Sequence, residues 1–532
     1  MTEIRVINHL LRTILSRHWP FLVLLTVSLP VLFWKLGTGS LHDWDEAIYA
    51  QISKEFVRSG DWLTPHWGQQ LWFEKPPLYM WLTAFCYRLF GVDAFWARAA
   101  SAFAGMGVVL MTFATGKLVH NTRTGLLAGI ILLTSMQFVF ASRFGTTDVM
   151  LTLFTLLAIY GYLRLQEASE QRKWWYLIGA SAGLALMTKG AAGAIAPLIV
   201  GFAMLLDGQL LRAARSRYAW EGAGIALLLV VPWHCYMTVQ HGQRFIDDYI
   251  GYHVIARTAK PLGENDGDAF YYFDVIFRHF FPWALLLPFV AAPIVRSIKI
   301  KSPTRTLWLA ILLPLGLYSI VQTKLFWYIT PIYPVLAICV AHFIMRYFER
   351  AEMSFRTATA IVCVIFVVIG FVNISPLYRE GSAHIARLAR DAASADGADR
   401  QPLIVFFGIS QPTPMFYSDR LILVTDAAGR LGEFTKGHQV RWRADSLGDV
   451  IENYRAANAI LPRTEVARLS RFYDVHVMSE SGPLVYVTIE SPNRLSQMQF
   501  SATLRLNALD ENSCHFVFVN QLESGIEPQH RR

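Results

Sequence analysis

Residues able to do chemistry gather in a few short stretches of an otherwise apolar chain. The first reads His42-Asp43-Trp44-Asp45-Glu46-Ala47-Ile48-Tyr49 and runs on to Phe56. Ile48, Ile52 and Phe56 recur at helical spacing, which predicts an amphipathic helix lying on a membrane surface. Its acidic start could cap the helix and complement its dipole, or present a carboxylate to a substrate. After Asp61-Trp62-Leu63-Thr64-Pro65-His66 comes Phe73-Glu74-Lys75-Pro76-Pro77-Leu78-Tyr79, where two prolines stiffen the backbone beside a Glu and a Lys. A rigid charged loop at a membrane interface suits an anionic head group.

Further along, Ser142-Arg143-Phe144-Gly145-Thr146-Thr147-Asp148 sets an acid at the lip of an apolar span. A carboxylate at the edge of hydrocarbon costs roughly a few kcal/mol unless it is paired, which makes Asp148 a functional candidate. The structural alternative is a helix cap paired with Arg143. His253 and Arg257 are four residues apart and so on one face of a helix, and Lys324-Leu325-Phe326-Trp327-Tyr328-Ile329-Thr330-Pro331 follows. For these cations the structural alternative is snorkelling at the interface.

The elements that hold these residues are mostly membrane spans. With 532 residues, a mean hydropathy of +0.35, 54% hydrophobic and 16% charged residues, the composition excludes an ordinary soluble protein of several domains. Residues 125–142, 306–323 and 357–376 contain no Asp, Glu, Lys or Arg. Shorter candidates start near Pro20, Ala99, Val149, Trp174, Gly190, Gly222, Phe280 and Leu325, giving about eleven spans. Residues 174–206 read either as two crossings or as a re-entrant hairpin, and 77–89 as an interfacial or re-entrant helix.

Basic loops fall in every second position: the N-terminus, Lys117 with Arg123, 164–173, Arg212 to Arg217, 296–305 and 346–356. The positive-inside rule makes these cytoplasmic. The loops 37–98, 142–148 and 239–278, the turns at Lys189 and Lys324, and everything after about residue 376 then face outward, and these loops and turns carry or adjoin the candidate residues. The net charge of +9 sits at span ends and argues against nucleic acid, while the cysteines predict neither a disulfide framework nor a metal site. From residue 378 the pattern changes: apolar runs at 403–407, 421–424 and 484–488 predict strands and 383–393 a helix. The expected division is a membrane domain 1–377, a small soluble α/β domain 378–490, and a tail 491–532 with one strand candidate at 515–519.

At Asp45-Glu46-Ala47, Phe73-Glu74-Lys75-Pro76-Pro77, Asp148 and Lys324-x-x-x-Tyr328-x-x-Pro331 the sequence resembles the bacterial relatives of protein O-mannosyltransferases. Among these is the aminoarabinose transferase that modifies lipid A. The resemblance covers roughly residues 20–375. It implies a GT-C fold, a polyprenyl-phosphate-linked sugar donor, inversion at the anomeric carbon and a cavity on the outer face of a bacterial inner membrane. It also implies that Asp45 is the first-loop catalytic carboxylate and Asp148 the second-loop acid. Lys75, Arg257 and Lys324 would meet the donor phosphate, and Glu46, Glu74, Tyr79, His253 and Tyr328 would line the cavity.

Related lipid A transferases commonly read Asp-Glu-Ala-Arg-Tyr in the first loop; Ile48 stands here in place of that Arg, which removes one phosphate-binding candidate. The acceptor implied is lipid A, another envelope glycan, or a Ser/Thr hydroxyl. No cofactor is expected, because the donor carries a single phosphate, although the Asp43-Trp44-Asp45 spacing leaves metal binding open. A transporter or lipid flippase is the competing class. It would place essential charges near mid-membrane, often in repeated halves, and no internal repeat is found.

Overall fold

The computed structural model describes residues 2–42, 44–68, 70–167, 172–256, 267–268, 270–291, 303–350, 383–395, 402–406, 412–425, 430–435, 439–454 and 456–491. The predicted span at 357–376, the 296–301 part of a basic loop, the expected boundary at 377/378 and the tail beyond 491 lie outside these residues. Contacts divide the chain into two units. One comprises residues 1–39, 52–66 and 71–379; the other comprises 40–51, 67–70 and 380–532.

The first unit is a helical membrane bundle. Its first elements are α1 (Thr2–Phe33), α3 (Leu78–Phe90), α4 (Ala94–Val119), α5 (Thr122–Leu133) and α6 (Met136–Arg143). There follow α7 (Asp148–Glu167), α8 (Arg172–Lys189), α9 (Ile195–Leu206), α10 (Leu210–Arg215) and α11 (Arg217–Phe245). The intervening helix α2 (Asp45–Ser59) begins in the second unit.

Among the described residues five stretches are long and apolar enough to cross a membrane: Ala94–Val119, Asp148–Glu167, Arg172–Leu206, Arg217–Ala256 and Phe326–Phe348. Two bent pairs, Thr122–Leu133 with Met136–Arg143 at 69° and Tyr271–His279 with Trp283–Val290 at 117°, raise the number to seven. The charge-free run at 125–142 is therefore a bent pair. Its break falls at Thr134 and Ser135, whose hydroxyls both donate back to Ile131 O, at 2.7 and 2.9 Å, a pattern that bends helices.

Arg172–Leu206 is not a straight rod. A Cβ placed on Gly193 would lie 2.2 Å from Ala185 O, so the chain doubles back and α8 and α9 form a hairpin. At 18 and 12 residues the two arms are about 27 and 18 Å long, and both pack on α7. The helix α3, with 13 residues, is too short to cross a hydrocarbon core of about 30 Å.

One expectation needs correction. Every residue of α2 from Glu46 to Lys54 is buried, including Gln51, Ser53 and Lys54, so this helix does not lie on a membrane surface with one wet face. The apolar spacing read in the sequence marks only part of its packing. Within the expected outward loop, the helix Arg217–Phe245 contains a break at Gly242 (φ 54°, ψ −138°) and is followed by a π-helical stretch, Ile246–Ala256.

After the two-residue strands β1 (His66–Trp67) and β2 (Gln70–Leu71), the predicted strands are found in the second unit as β3 (Leu403–Val405), β4 (Ile422–Thr425) and β9 (Leu484–Glu490). They join β5 (Arg430–Thr435), β6 (Gln439–Ser446), β7 (Ala456–Pro462) and β8 (Asp474–Ser481) in a mixed sheet of order β6-β5-β4-β3-β7-β9-β8. Only the β3–β4 and β3–β7 pairings are parallel. A core of Ile404, Leu423, Leu461, Val485, Val487 and Ile489 holds the sheet together by burying β-branched and leucine side chains.

Candidate functional site

Asp148 opens α7 and is buried, at 3% exposure. Its carboxylate forms an ion pair with the ammonium of Lys189, the last residue of α8. The structural alternative of a pair with Arg143 gives way to a different arrangement. Arg143 donates to Val31 O at 3.0 Å and Trp34 O at 2.7 Å, and Arg98 donates to Leu36 O at 3.0 Å. These guanidinium groups satisfy carbonyls at and beyond the end of α1, where backbone acceptors lack helical donors, and so fix the point from which the first loop departs.

The Lys189 ammonium also lies 5.0 Å from the centroid of the Tyr328 ring, within cation–π range. Tyr328 in turn packs on Tyr318, with ring centroids 5.4 Å apart. It sits in a 3-10 turn, Phe326–Ile332, to which Gln137 of α6 donates a hydrogen bond from its side-chain Nε2 to Phe326 O.

The turn after Lys189 brings in the first-loop Glu-Lys stretch. Gly190 has φ +55°, and a Cβ there would meet Tyr249 Oη at 2.6 Å and Pro76 Cδ at 3.5 Å. Glycine is needed both for the backbone conformation and for the space. Phe73, preceding Glu74 and Lys75, is anchored in an apolar cluster with Met187, Trp233, Met237, Phe245 and Tyr249. Burying such a side chain stabilises by about 1.5–3 kcal/mol, so the Glu74-Lys75-Pro76 segment is held beside the Lys189 turn by packing on its N-terminal side. Glu74 and Lys75 are half-buried.

Tyr79 is buried, and its hydroxyl donates to Ala97 O at 3.1 Å and shares a hydrogen bond with Ser101 Oγ. Ser101 Oγ donates to Thr146 O at 3.0 Å. Tyr79 thus faces α4 and belongs to a chain of bonds that secures the segment just before Asp148. Asp61 makes a turn: its Oδ1 accepts from the N–H groups of Leu63 and Thr64 at 3.0 and 3.1 Å. Burial pushes its carboxyl up, but the Thr64 and Leu63 N–H groups outweigh that and hold it below the usual carboxylate range.

Lys324 is buried, and among the described residues no carboxylate pairs with it. Its stem lies close to Gly267, whose Cβ would meet Lys324 Cδ at 3.0 Å. His253 is half-buried in the π-helical stretch with its ring against Tyr252. Arg257 and Asp43 lie outside the described residues.

In the second unit Asp45 is half-buried and is the first residue of α2. Glu46 is buried at 1% exposure, and its Oε2 accepts from His42 N at 2.7 Å. The residue before Asp45, Trp44, has φ +66°, a left-handed conformation that is strained for a bulky side chain.

Reading the sequence missed Lys189, Tyr249 and His234, whose Nε2 is 3.3 Å from Tyr249 Oη. The available signal was Lys189-Gly190: a cation followed by the residue that best tolerates positive φ, at the break of a long apolar stretch.

Comparison with known proteins places these residues in context. Residues 74–236 match the family model for dolichyl-phosphate-mannose-protein mannosyltransferase. An undecaprenyl phosphate-alpha-4-amino-4-deoxy-L-arabinose arabinosyl transferase of Pectobacterium carotovorum is 30% identical over 317 residues, 56% of this chain and 54% of that protein. An uncharacterized protein of Aquifex aeolicus is 27% identical over 326 residues, 61% of this chain and 64% of its own. The chain thus spans between about half and two thirds of these relatives.

Among solved structures, ArnT from Cupriavidus metallidurans bound to undecaprenyl phosphate superposes with a TM-score of 0.69 at 21% identity, covering 88% of this chain and 97% of that one. The Archaeoglobus fulgidus oligosaccharyltransferase superposes with a TM-score of 0.56 at 12% identity, covering 86% and 73%. These two likenesses establish the fold.

Proposed function

We propose that this chain, a GT-C-fold relative of the aminoarabinose and mannosyl transferases, moves a sugar from a polyprenyl phosphate to an extracytoplasmic acceptor. The observation that carries the reading is the buried Asp148–Lys189 pair. It lies against Tyr328 and beside the Glu74-Lys75-Pro76 segment, where the mannosyltransferase match begins.

In this reaction an acceptor oxygen forms a bond to the anomeric carbon while the bond from that carbon to the phosphate oxygen breaks, with inversion. The departing phosphate is a good leaving group, so the protein must chiefly stabilise its charge. Lys75, Lys324 and Arg257 are the proposed cations, since charge-assisted contacts to phosphate are the strong ones. A buried Lys with no ion-pair partner among the described residues suits an anion better than a structural role. Asp45 is the proposed base for a hydroxyl acceptor; for an acceptor phosphate it would orient without deprotonating. Glu46, Glu74, Tyr79, His253 and Tyr328 are proposed to shape the surroundings, Glu46 and Tyr79 through the backbone they hold.

The proposed acceptor is lipid A or another envelope glycan, reached from the periplasmic side of the inner membrane with the N-terminus in the cytoplasm. A protein Ser/Thr hydroxyl is the second reading, favoured by the mannosyltransferase description of the family match. The proposed layout keeps a membrane domain 1–377, a soluble domain 378–490 and a tail 491–532.

The test is sugar transfer in proteoliposomes given undecaprenyl phosphate-linked aminoarabinose or mannose, with lipid A or a Ser/Thr peptide as acceptor, read by mass spectrometry. Asp45→Asn should abolish product while the protein stays folded. Undiminished transfer by that variant would remove Asp45 from the chemistry. Movement of a labelled lipid across the bilayer with no glycosidic product would point to a transporter instead.

A further inference from the structure

The segment that carries Asp45 is held by the C-terminal unit. Residues 40–51 and 67–70 cluster with 380–532 and not with the sequence around them. Two of the contacts that hold these residues come from one short helix, Pro412–Ser418. Tyr417 Oη accepts the backbone N–H of Leu41 at 2.9 Å. Two residues away on the same helix, Met415 lies over Gly68: a Cβ there would meet Met415 Cε at 2.9 Å and Sδ at 3.2 Å, and Gly68 has φ +59°. The helix thus touches both places where the first-loop region enters this unit.

The helix is a firm mount. It opens with Pro412 and Pro414, which suit a first helical turn and restrict its backbone. Thr413, Met415 and Phe416 are buried. Behind it, the Arg390 guanidinium stacks 4.6 Å from the Tyr417 ring centroid, and Arg420 donates to Ala392 O at 2.5 Å. Both contacts tie it to the helix Ala383–Ala395.

What is held is a strained segment. The adjacent amides of Leu41 and His42 are bound by Tyr417 and Glu46 respectively, and Trp44 follows at positive φ. A conformation of that kind persists only where surrounding contacts fix it.

We propose that the Pro412–Ser418 helix clamps the first loop, with Tyr417 as a positioning residue that sets the direction in which Asp45 enters α2. This rests on the reading of Asp45 as a reacting carboxylate, and it gives the C-terminal unit a part in turnover.

The test uses the full-length protein in nanodiscs. Tyr417→Phe removes the acceptor oxygen and keeps the ring, and Tyr417→Ala removes both. Amide hydrogen exchange in peptides covering residues 38–48 should quicken in Tyr417→Phe and further in Tyr417→Ala, while peptides from the β7–β9 region stay protected. Turnover with an undecaprenyl phosphate-linked sugar should fall about threefold to tenfold in Tyr417→Phe, the range for one lost neutral hydrogen bond, with KM for the donor unchanged. Arg463→Gln, which breaks an exposed ion pair to Glu480 elsewhere in the unit, should change neither measurement.

Unchanged exchange at 38–48 in both Tyr417 variants would overturn the clamp, whatever Asp45 does. Quickened exchange with undiminished turnover would overturn the positioning role. An active Asp45→Asn variant would instead overturn the catalytic reading, and the exchange result would still decide whether the clamp exists.

Discussion

Two buried ion pairs stand near opposite ends of α7, and their surroundings differ. Near its C-terminal end, Asp207 pairs with Arg305 and also accepts from Tyr162 Oη at 2.5 Å and from the Gln166 amide at 2.6 Å. At its N-terminal end, Asp148 takes only Lys189 among the described residues, and that ammonium faces an aromatic ring. A carboxylate saturated by three donors has little capacity left for a substrate. A carboxylate with a single cationic partner keeps lone pairs in reserve. The comparison separates a carboxylate with all its acceptor capacity used from one with capacity to spare, even though both are buried to a similar degree.

The strongest way to break this contrast is to neutralise each acid. Asp148→Asn should lower sugar transfer by about a hundredfold or more, the usual scale for a group that acts on a proton or charge in the transition state, with little loss of folded protein. If Asp148→Asn transferred sugar at the normal rate, the pair at the N-terminal end would be as structural as the other.

At the far end the expected effect falls on stability. Arg305→Met strands a buried carboxylate, a change that costs about 3–5 kcal/mol, and should lower the Tm in detergent while turnover per folded molecule holds. Adding Asp207→Leu should recover only part of the loss, because it removes the stranded charge but leaves the Tyr162 hydroxyl and the Gln166 amide without their acceptor. A drop in turnover without a drop in Tm would place Arg305 in the chemistry and erase the distinction.

How much of this was visible in the sequence follows the same division. Asp148 stood out because a carboxylate at the edge of an apolar run is costly, and the strands β3, β4 and β9 because their apolar runs are short and bounded by turn residues. Lys189 was passed over since its partner is 41 residues away, and no local pattern encodes a pairing across two helices. The burial of α2 was illegible for a related reason: Gln51, Ser53 and Lys54 are polar, and only tertiary contacts could reveal that they are enclosed. The bend at Thr134 and Ser135 had a local cause that the absence of charge concealed. Least legible was the attachment of residues 40–51 to a helix near residue 415, because a single Leu41 N–H and a glycine leave no hydropathy signature.

The smallest effect sharpens the contrast most, since it asks what the aromatic face contributes to the Asp148–Lys189 pair. If Lys189 is held partly by the quadrupole of the Tyr328 ring, Tyr328→Phe should cost less stability than Tyr328→Leu, because the ring remains. Tyr328→Leu should then cost about 0.5–2 kcal/mol, the range of a partly desolvated cation–π contact. Thermal unfolding of both variants beside Asp148→Asn gives the comparison. An equal loss in Phe and Leu would assign the effect to the hydroxyl, and Lys189 would then owe its position to Asp148 alone. An unequal loss would mean that the ring shares in holding the cation, so Asp148 can turn toward a substrate without leaving a bare charge in an apolar bundle. A saturated pair such as Asp207–Arg305 has no equivalent of that release.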